Sequence, residues 1–295
     1  MLHVTLNGLG PPGFVPSERL ELDLTVAERS YPPAQRVAMH DARPLQAAAE
    51  SEAAFFAAHG FVLLRHESAV RDWEPNVANP PDSEIGRLYL GEIEAVIRER
   101  LLPGRRLLIW QHPILVRRGE GTSTPQYGTG VHQDHALTPD DYQVNVAAFA
   151  GERVGAMWRA RYEQDDVLGF MSINFWRTTN MEGPLRHMPL AVCDPTSVAA
   201  DEVIQFAMKG IAPEGRVTHT MGLCFSPDHL WYYYPGMTGD ELLAFKIFQY
   251  LKSDAEPRVA TCFHSAFEHP ETPGDAPRRQ SCEHRVQVFL LTDEA

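Results

Sequence analysis

Hydrophobic and polar residues change rhythm several times along this chain, and the rhythm predicts most of its elements. Near the start, Leu20-Glu21-Leu22-Asp23-Leu24 alternates apolar and charged side chains, the period-two signature of a half-buried strand. A proline-containing connection leads to an extended segment over residues 36–43. Residues 47–58 are rich in Ala, Glu and Phe, which predicts a helix docked by Phe55 and Phe56 and closed at His59-Gly60, where glycine suits a left-handed cap. The apolar run Phe61-Val62-Leu63-Leu64 reads as a buried strand. From residue 82 to 101 apolar residues recur at helical spacing, through Ile85, Tyr89, Ile93, Val96 and Ile97, until Pro103-Gly104 stops the pattern.

Beyond residue 105 the character turns to strands. β-branched and aromatic runs cover residues 106–112, 114–116, 169–176, 230–234, 259–267 and 281–291, punctuated by Gly and Pro. Residues 240–251 break this series. Their apolar positions are spaced by three and four, with Asp240 and Glu241 in the first turn, which predicts the strongest helix of the chain. The expected fold class is mainly β with helices, an antiparallel barrel or sandwich. With no internal repeat or low-complexity linker, one domain over residues 1–295 is expected: an N-terminal arm (1–45), a helical and strand support (46–105) and a β core with insertions (106–295).

Composition narrows the function classes. Hydrophobic residues make up 44% and charged residues 22%, ordinary for a globular chain long enough to bury a large core. The net charge of −13 opposes phosphate backbones and anionic membranes, so a small molecule is the expected partner, with no nucleic acid and no membrane. Oligomeric state stays open, a homodimer included. The N-terminus lacks the basic start and long apolar stretch of a signal peptide, which predicts a cytoplasmic location. Cys193, Cys224, Cys262 and Cys282 are scattered, without the paired spacing of a zinc knuckle or a disulfide framework. Neither a G-x-S-x-G elbow nor a P-loop is present.

Val131-His132-Gln133-Asp134 carries the candidate chemistry. On an extended segment alternate side chains share a face, so His132 and Asp134 point together and Gln133 away. With 13 His and 39 acidic residues in 295, about two such doublets arise by chance, and two occur; the other, His269-Pro270-Glu271, reads as loop. Context distinguishes the first. His264, on a distant predicted strand, would complete a two-His-one-carboxylate facial triad that leaves positions open on Fe(II). After a proline-rich turn, Arg279 and Ser281 share parity on the last strand, a fork and a hydroxyl fit for a carboxylate such as the distal one of 2-oxoglutarate. Arg285 shares that face and competes with Arg279; Arg278 is a weaker rival. His219, His229 and His284 are rivals of His264 that read as structural.

This order of motifs resembles the Fe(II)/2-oxoglutarate-dependent oxygenases. Asp41-Ala42-Arg43, His59-Gly60-Phe61-Val62-Leu63, Ile173-Asn174-Phe175-Trp176-Arg177, residues 189–194, Trp231-Tyr232-Tyr233 and His264-Ser265-Ala266-Phe267 extend the likeness from about residue 36 onward. They are similar to the branch of gibberellin desaturase-like proteins, the cephamycin-pathway hydroxylase component and fungal endoperoxide-forming oxygenases. The resemblance implies a double-stranded β-helix (jelly roll), Fe(II) on His132, Asp134 and His264, 2-oxoglutarate on Arg279 and Ser281, O2 as oxidant and a small specialised metabolite as substrate. Asn174 and Arg177 would contact co-substrate or substrate, or Arg177 would pair structurally with Asp194. Retention of Asp134 argues against halogenation. Two other readings stay open: an iron oxygenase that chelates its substrate without 2-oxoglutarate, and a non-catalytic ligand-binding jelly roll.

Overall fold

The computed structural model describes residues 2–14, 16–26, 33–73, 82–122, 124–254 and 258–293. The chain begins with strands β1 (Leu2–Leu6), β2 (Leu20–Asp23) and β3 (Gln35–Asp41), then helices α1 (Ala42–Ala47) and α2 (Glu52–His59). Part of the proline-containing connection, residues 27–32, lies outside the described residues. Ser51 caps α2 by accepting from the Ala54 amide, and Gly60 ends it at φ +74°, as the His59-Gly60 signal requires. Strand β4 (Phe61–Arg65) follows at once. The helical pattern after residue 82 forms a continuous rod: α3 (Leu90–Val96) is flanked by π-helical turns at Ile85–Tyr89 and Ile97–Leu101.

Two helices that the apolar pattern did not announce come next, after β5 (Leu107–Trp110) and β6 (Val116–Arg118). They are α4 (Pro139–Ala150) and α5 (Glu152–Tyr162). Thr138 caps α4 through the Asp141 amide, with Pro139 at the first helical position and acids in the first turn. Strands β7 (Val167–Thr178), β8 (Leu190–Cys193), β9 (Val203–Lys209), β10 (Thr218–Leu223), β11 (Trp231–Tyr233), β12 (Glu241–Leu251), β13 (His264–Ala266) and β14 (Ser281–Leu291) complete the chain.

The segment expected to be the strongest helix is therefore a strand. Residues 242–248 of β12 are buried without a break. β12 lies between β4 and β7, so neighbours pair along both edges while packed layers cover both faces. A strand buried on both faces needs no alternation, and an unbroken apolar run satisfies helical spacing as readily as any other. Phe245, Ile247, Phe248 and Tyr250 are β-favouring side chains that fit the strand. The strand expected over residues 259–267 shrinks to β13, and that over 114–116 to the start of β6.

Two sheets face each other, one of order β1-β3-β11-β8-β13 and one of order β4-β12-β7-β14-β5 with β6 beside β14. A third, β10-β9-β2, lies apart from these two orders. The larger sheet has two distinct faces. On its reverse face Val62, Leu64, Ala244, Ile173, Val286 and Val288 pack with Phe55 and Phe56 of α2 and with Tyr89, Ile93 and Ile97 of the helical rod. This layer fixes the sheet from behind and leaves its other face for the site. Among the described residues no helix is long and apolar enough to cross a membrane.

Candidate metal centre

His132 and Asp134 do not lie in a regular strand. The segment is held by single bridges on each side, His132 to His264 and Gln133 to Met221. The amide of His132 donates to the His264 carbonyl at 3.2 Å and that of His264 to the His132 carbonyl at 3.0 Å, which locks the two imidazole-bearing residues opposite each other. Their ring centroids stand 4.4 Å apart. One ligand atom each from His132, Asp134 and His264 falls within 4.8 Å of the others, and His132 Nε2 lies 3.7 Å from Asp134 Oδ1. Gln133 points the opposite way, fully buried, donating to the Cys262 carbonyl and accepting from the Asp134 amide.

Backbone carbonyls set the tautomers. His132 Nδ1 donates to the Gly130 carbonyl at 2.7 Å, and His264 Nδ1 to the Cys262 carbonyl at 3.2 Å. Each ring then presents an Nε2 lone pair, the arrangement that orients a metal-binding imidazole. Burial, with the neighbouring His132, pushes His264 down to about 4, so it is neutral at pH 7. Burial alone would raise the Asp134 carboxyl, but the Arg285 guanidinium, with His264 and His132, holds it well below the usual carboxylate range. Two imidazole nitrogens and one carboxylate oxygen, on side chains opening outward at His132, suit a dication with exchangeable positions.

The inward face of β14 carries the rest. Ser281, Glu283 and Arg285 stand opposite Thr178, Trp176 and Asn174 of β7, and Arg279 precedes Ser281 on the same parity. Arg285 Nε donates to Asp134 Oδ2 at 2.8 Å, which leaves Oδ1 toward the imidazoles. Glu283 is the hub of this row: Arg118 and Arg285 each reach its Oε1 at 3.3 Å, and Asn174 Nδ2 its Oε2 at 3.5 Å. Desolvation is outweighed by the two arginines, and Glu283 stays below the usual carboxylate range.

Arg279 is 1% exposed, and among the described residues it has no carboxylate partner. Its Nη1 donates to the Met188 carbonyl at 2.5 Å, while the rings of Tyr127 and Trp176 lie 4.2 and 5.5 Å from the guanidinium. Met188 takes the left-handed φ of +53° to aim that carbonyl. Among the described residues Arg279 Nε and Ser281 Oγ are buried without partners, as is Asn174 Oδ1 opposite Arg285. The Arg279 Nε–H and the Ser281 hydroxyl, donors left unmet in so enclosed a place, fit an incoming carboxylate.

Other candidates fall elsewhere. Arg278 is exposed. Arg177 stands on the reverse face, beside Cys282, where it donates to the carbonyls of His66 and Gly239 and lies 5.0 Å from the Trp73 ring. The expectation that Arg177 joins Asn174 at the co-substrate is corrected: residues three apart on a strand face opposite ways. Nor does Arg177 pair with Asp194, whose carboxylate meets His59 and Thr196. His219 bonds Asp141, His229 bonds Glu202, and His284 bonds the Ile114 carbonyl, so all three rivals of His264 have other partners. Glu283, Arg118, Tyr127 and Met188 escaped the sequence reading; only Glu283 was signalled there, by its parity with Arg279 and Arg285.

Comparison with known proteins gives the setting of this geometry. The family described as Oxidoreductase/YMDC permease-like domain matches residues 20–289. A hydroxylase/desaturase, efuI, of Hormonema carpetanum is 34% identical over 130 residues, 41% of each chain. The chain spans less than half the length of this and of two similar hydroxylase/desaturase relatives, 39 to 42%. The Fe(II)/2-oxoglutarate-dependent dioxygenase nvfI of Aspergillus novofumigatus is 25% identical over 259 residues, 86% of this chain and 83% of its own. The solved structure of the iron and alpha-ketoglutarate-dependent endoperoxidase NvfI superposes with a TM-score of 0.67 at 21% identity, covering 98% of both chains, which shows the double-stranded β-helix fold.

Proposed function

This chain belongs to the Oxidoreductase/YMDC permease-like domain family and, with its relatives, to the Fe(II)/2-oxoglutarate-dependent oxygenases, and from that premise we propose that it oxidises a C–H bond of a small specialised metabolite. The observation that carries this reading is the convergence of three ligand atoms within 4.8 Å, with both Nδ1 atoms already committed to backbone carbonyls. In this reading His132, Asp134 and His264 hold Fe(II), while Arg279 and Ser281 take the distal carboxylate of 2-oxoglutarate. When bound, iron, 2-oxoglutarate and O2 supply the oxidising power, with succinate and CO2 as by-products. The protein's own residues orient the parts. Arg285 keeps one Asp134 oxygen occupied, Glu283 keeps Arg285 and Arg118 in place, and Tyr127 and Trp176 hold the Arg279 guanidinium flat. Hydroxylation, desaturation and related outcomes share this machinery. The chain works in this reading as one domain; four buried free thiols and the acidic charge support a cytoplasmic enzyme of small molecules.

Succinate formation from 2-oxoglutarate with Fe(II), ascorbate and a metabolite panel tests the assignment. His132→Ala and Arg279→Ala should each lose uncoupled turnover, and full activity in His132→Ala would overturn the ligand set. Anaerobic titration separates the alternative in which the substrate itself chelates iron, since only the 2-oxoglutarate reading expects a visible charge-transfer band on adding that co-substrate.

A further inference from the structure

Behind the larger sheet, on the face away from the ligand set, a cleft of about 160 Å³ is lined by Ala57, Gly60, Thr196, Lys246, Gln249 and Arg258, among others. Lys246 interrupts the apolar core of β12 and is 6% exposed. It pairs in register with Ile173, one position from the Phe245–Asn174 pair that faces the site, so its side chain leaves on the reverse face. There the ammonium donates one long bond, 3.5 Å, to the Ala57 carbonyl and lies 5.1 Å from the Phe56 ring. Among the described residues it takes part in no salt bridge. An ammonium withdrawn from water is costly unless an anion accompanies it, and an apolar residue would fill this strand position at lower cost.

The open side of the cleft supplies a second cation. Arg258 stands there with its side chain 60% exposed, held loosely to Asp254 at 3.7 Å. We propose that the cleft is a binding site for a small oxyanion, a compact carboxylate or phosphate, seated on the Lys246 ammonium with Arg258 at its rim. The volume equals about five water molecules, room for acetate or phosphate. Burial pushes Lys246 down to about 8, which leaves it cationic at neutral pH. The occupant would sit close behind the candidate metal centre. The Lys246 carbonyl accepts from the Cys262 amide at 2.9 Å, and the Cys262 carbonyl accepts from His264 Nδ1 at 3.2 Å. Nothing in this inference depends on iron or 2-oxoglutarate.

The test titrates acetate and phosphate separately into the full chain carrying Arg279→Met, which removes the other anion cradle, and follows backbone amides by NMR. Saturable shifts at Ala57, Gly60 and Gln249 are expected, with a dissociation constant on the order of millimolar. The tighter of the two anions assigns the class. Lys246→Met should weaken binding at least tenfold with thermal stability kept or raised, and Arg258→Gln should weaken it several-fold, which keeps the test open if the first variant folds poorly. Unchanged binding in both variants overturns the proposal, as does the lack of saturable shifts up to about 50 mM. Glu256 lies two positions before Arg258 in the sequence. Binding that emerges only in Glu256→Gln would make that carboxylate the partner of the lysine and overturn the proposal equally.

Discussion

The two ends of the inward row on β14 treat buried charge in opposite ways. At the metal end every charge has a counterpart: Asp134 with Arg285, and Glu283 with Arg285 and Arg118. Six residues earlier Arg279 is more deeply buried, yet among the described residues only a carbonyl and two rings attend its guanidinium, and Ser281 Oγ beside it has no partner. A folded chain rarely leaves such donors unmet. At the paired end the charges are matched within the protein, at the other end two donors stay unmet, and the two should respond to substitution in opposite senses.

The largest effect is expected at the unpaired end. Arg279→Met should raise the KM for 2-oxoglutarate by about 100-fold, roughly 2.7 kcal/mol, while the melting temperature of the ligand-free protein holds or rises, because a lone buried charge is removed. A large stability loss without a KM change would erase the contrast. At the paired end, Glu283→Gln should cost about 2 kcal/mol in urea unfolding, since two arginines lose their common acceptor in a site that is partly open to water. A neutral result there would show that solvent already screens the network.

Smaller effects sharpen the picture. Tyr127 donates its hydroxyl to the Arg279 carbonyl at 2.9 Å while its ring lies over the guanidinium. Tyr127→Phe keeps the ring and should cost about 1 kcal/mol with at most a few-fold rise in KM; Tyr127→Ala should raise KM further. On the reverse face, burial pushes His284 down to about 4, against an ordinary value near 6.5. Its folded pKa lies below its unfolded one, so the unfolded chain binds the extra proton: this contribution is present above about pH 6.5 and is lost as the pH falls toward 4. His284→Asn should flatten the acid limb of the stability curve without moving the KM for 2-oxoglutarate.

Much of this site was legible before the fold was known. The period of two placed His132 with Asp134, and Arg279 with Ser281 and Arg285, because a one-residue slip would have turned whole faces over. What failed did so for identifiable reasons. β12 read as a helix because a strand covered on both sides loses the alternation that marks strands. α4 carries its signal in Thr138-Pro139-Asp140-Asp141, a cap and first turn rather than an apolar period. Arg177 was misplaced beside Asn174 although their separation of three already set them on opposite faces. Tyr127 and Met188 reach Arg279 from 152 and 91 positions away, contacts that no local pattern encodes.

The ion pair from Arg285 to Asp134 has one more implication. It runs from the larger sheet to the segment bridged onto β13 of the smaller one, so it acts as a rivet through the sandwich beside the candidate ligand set. Any breathing that parts the sheets must tug on the Asp134 carboxylate, so the first loosening of the barrel and the loss of the candidate ligand geometry would be a single event.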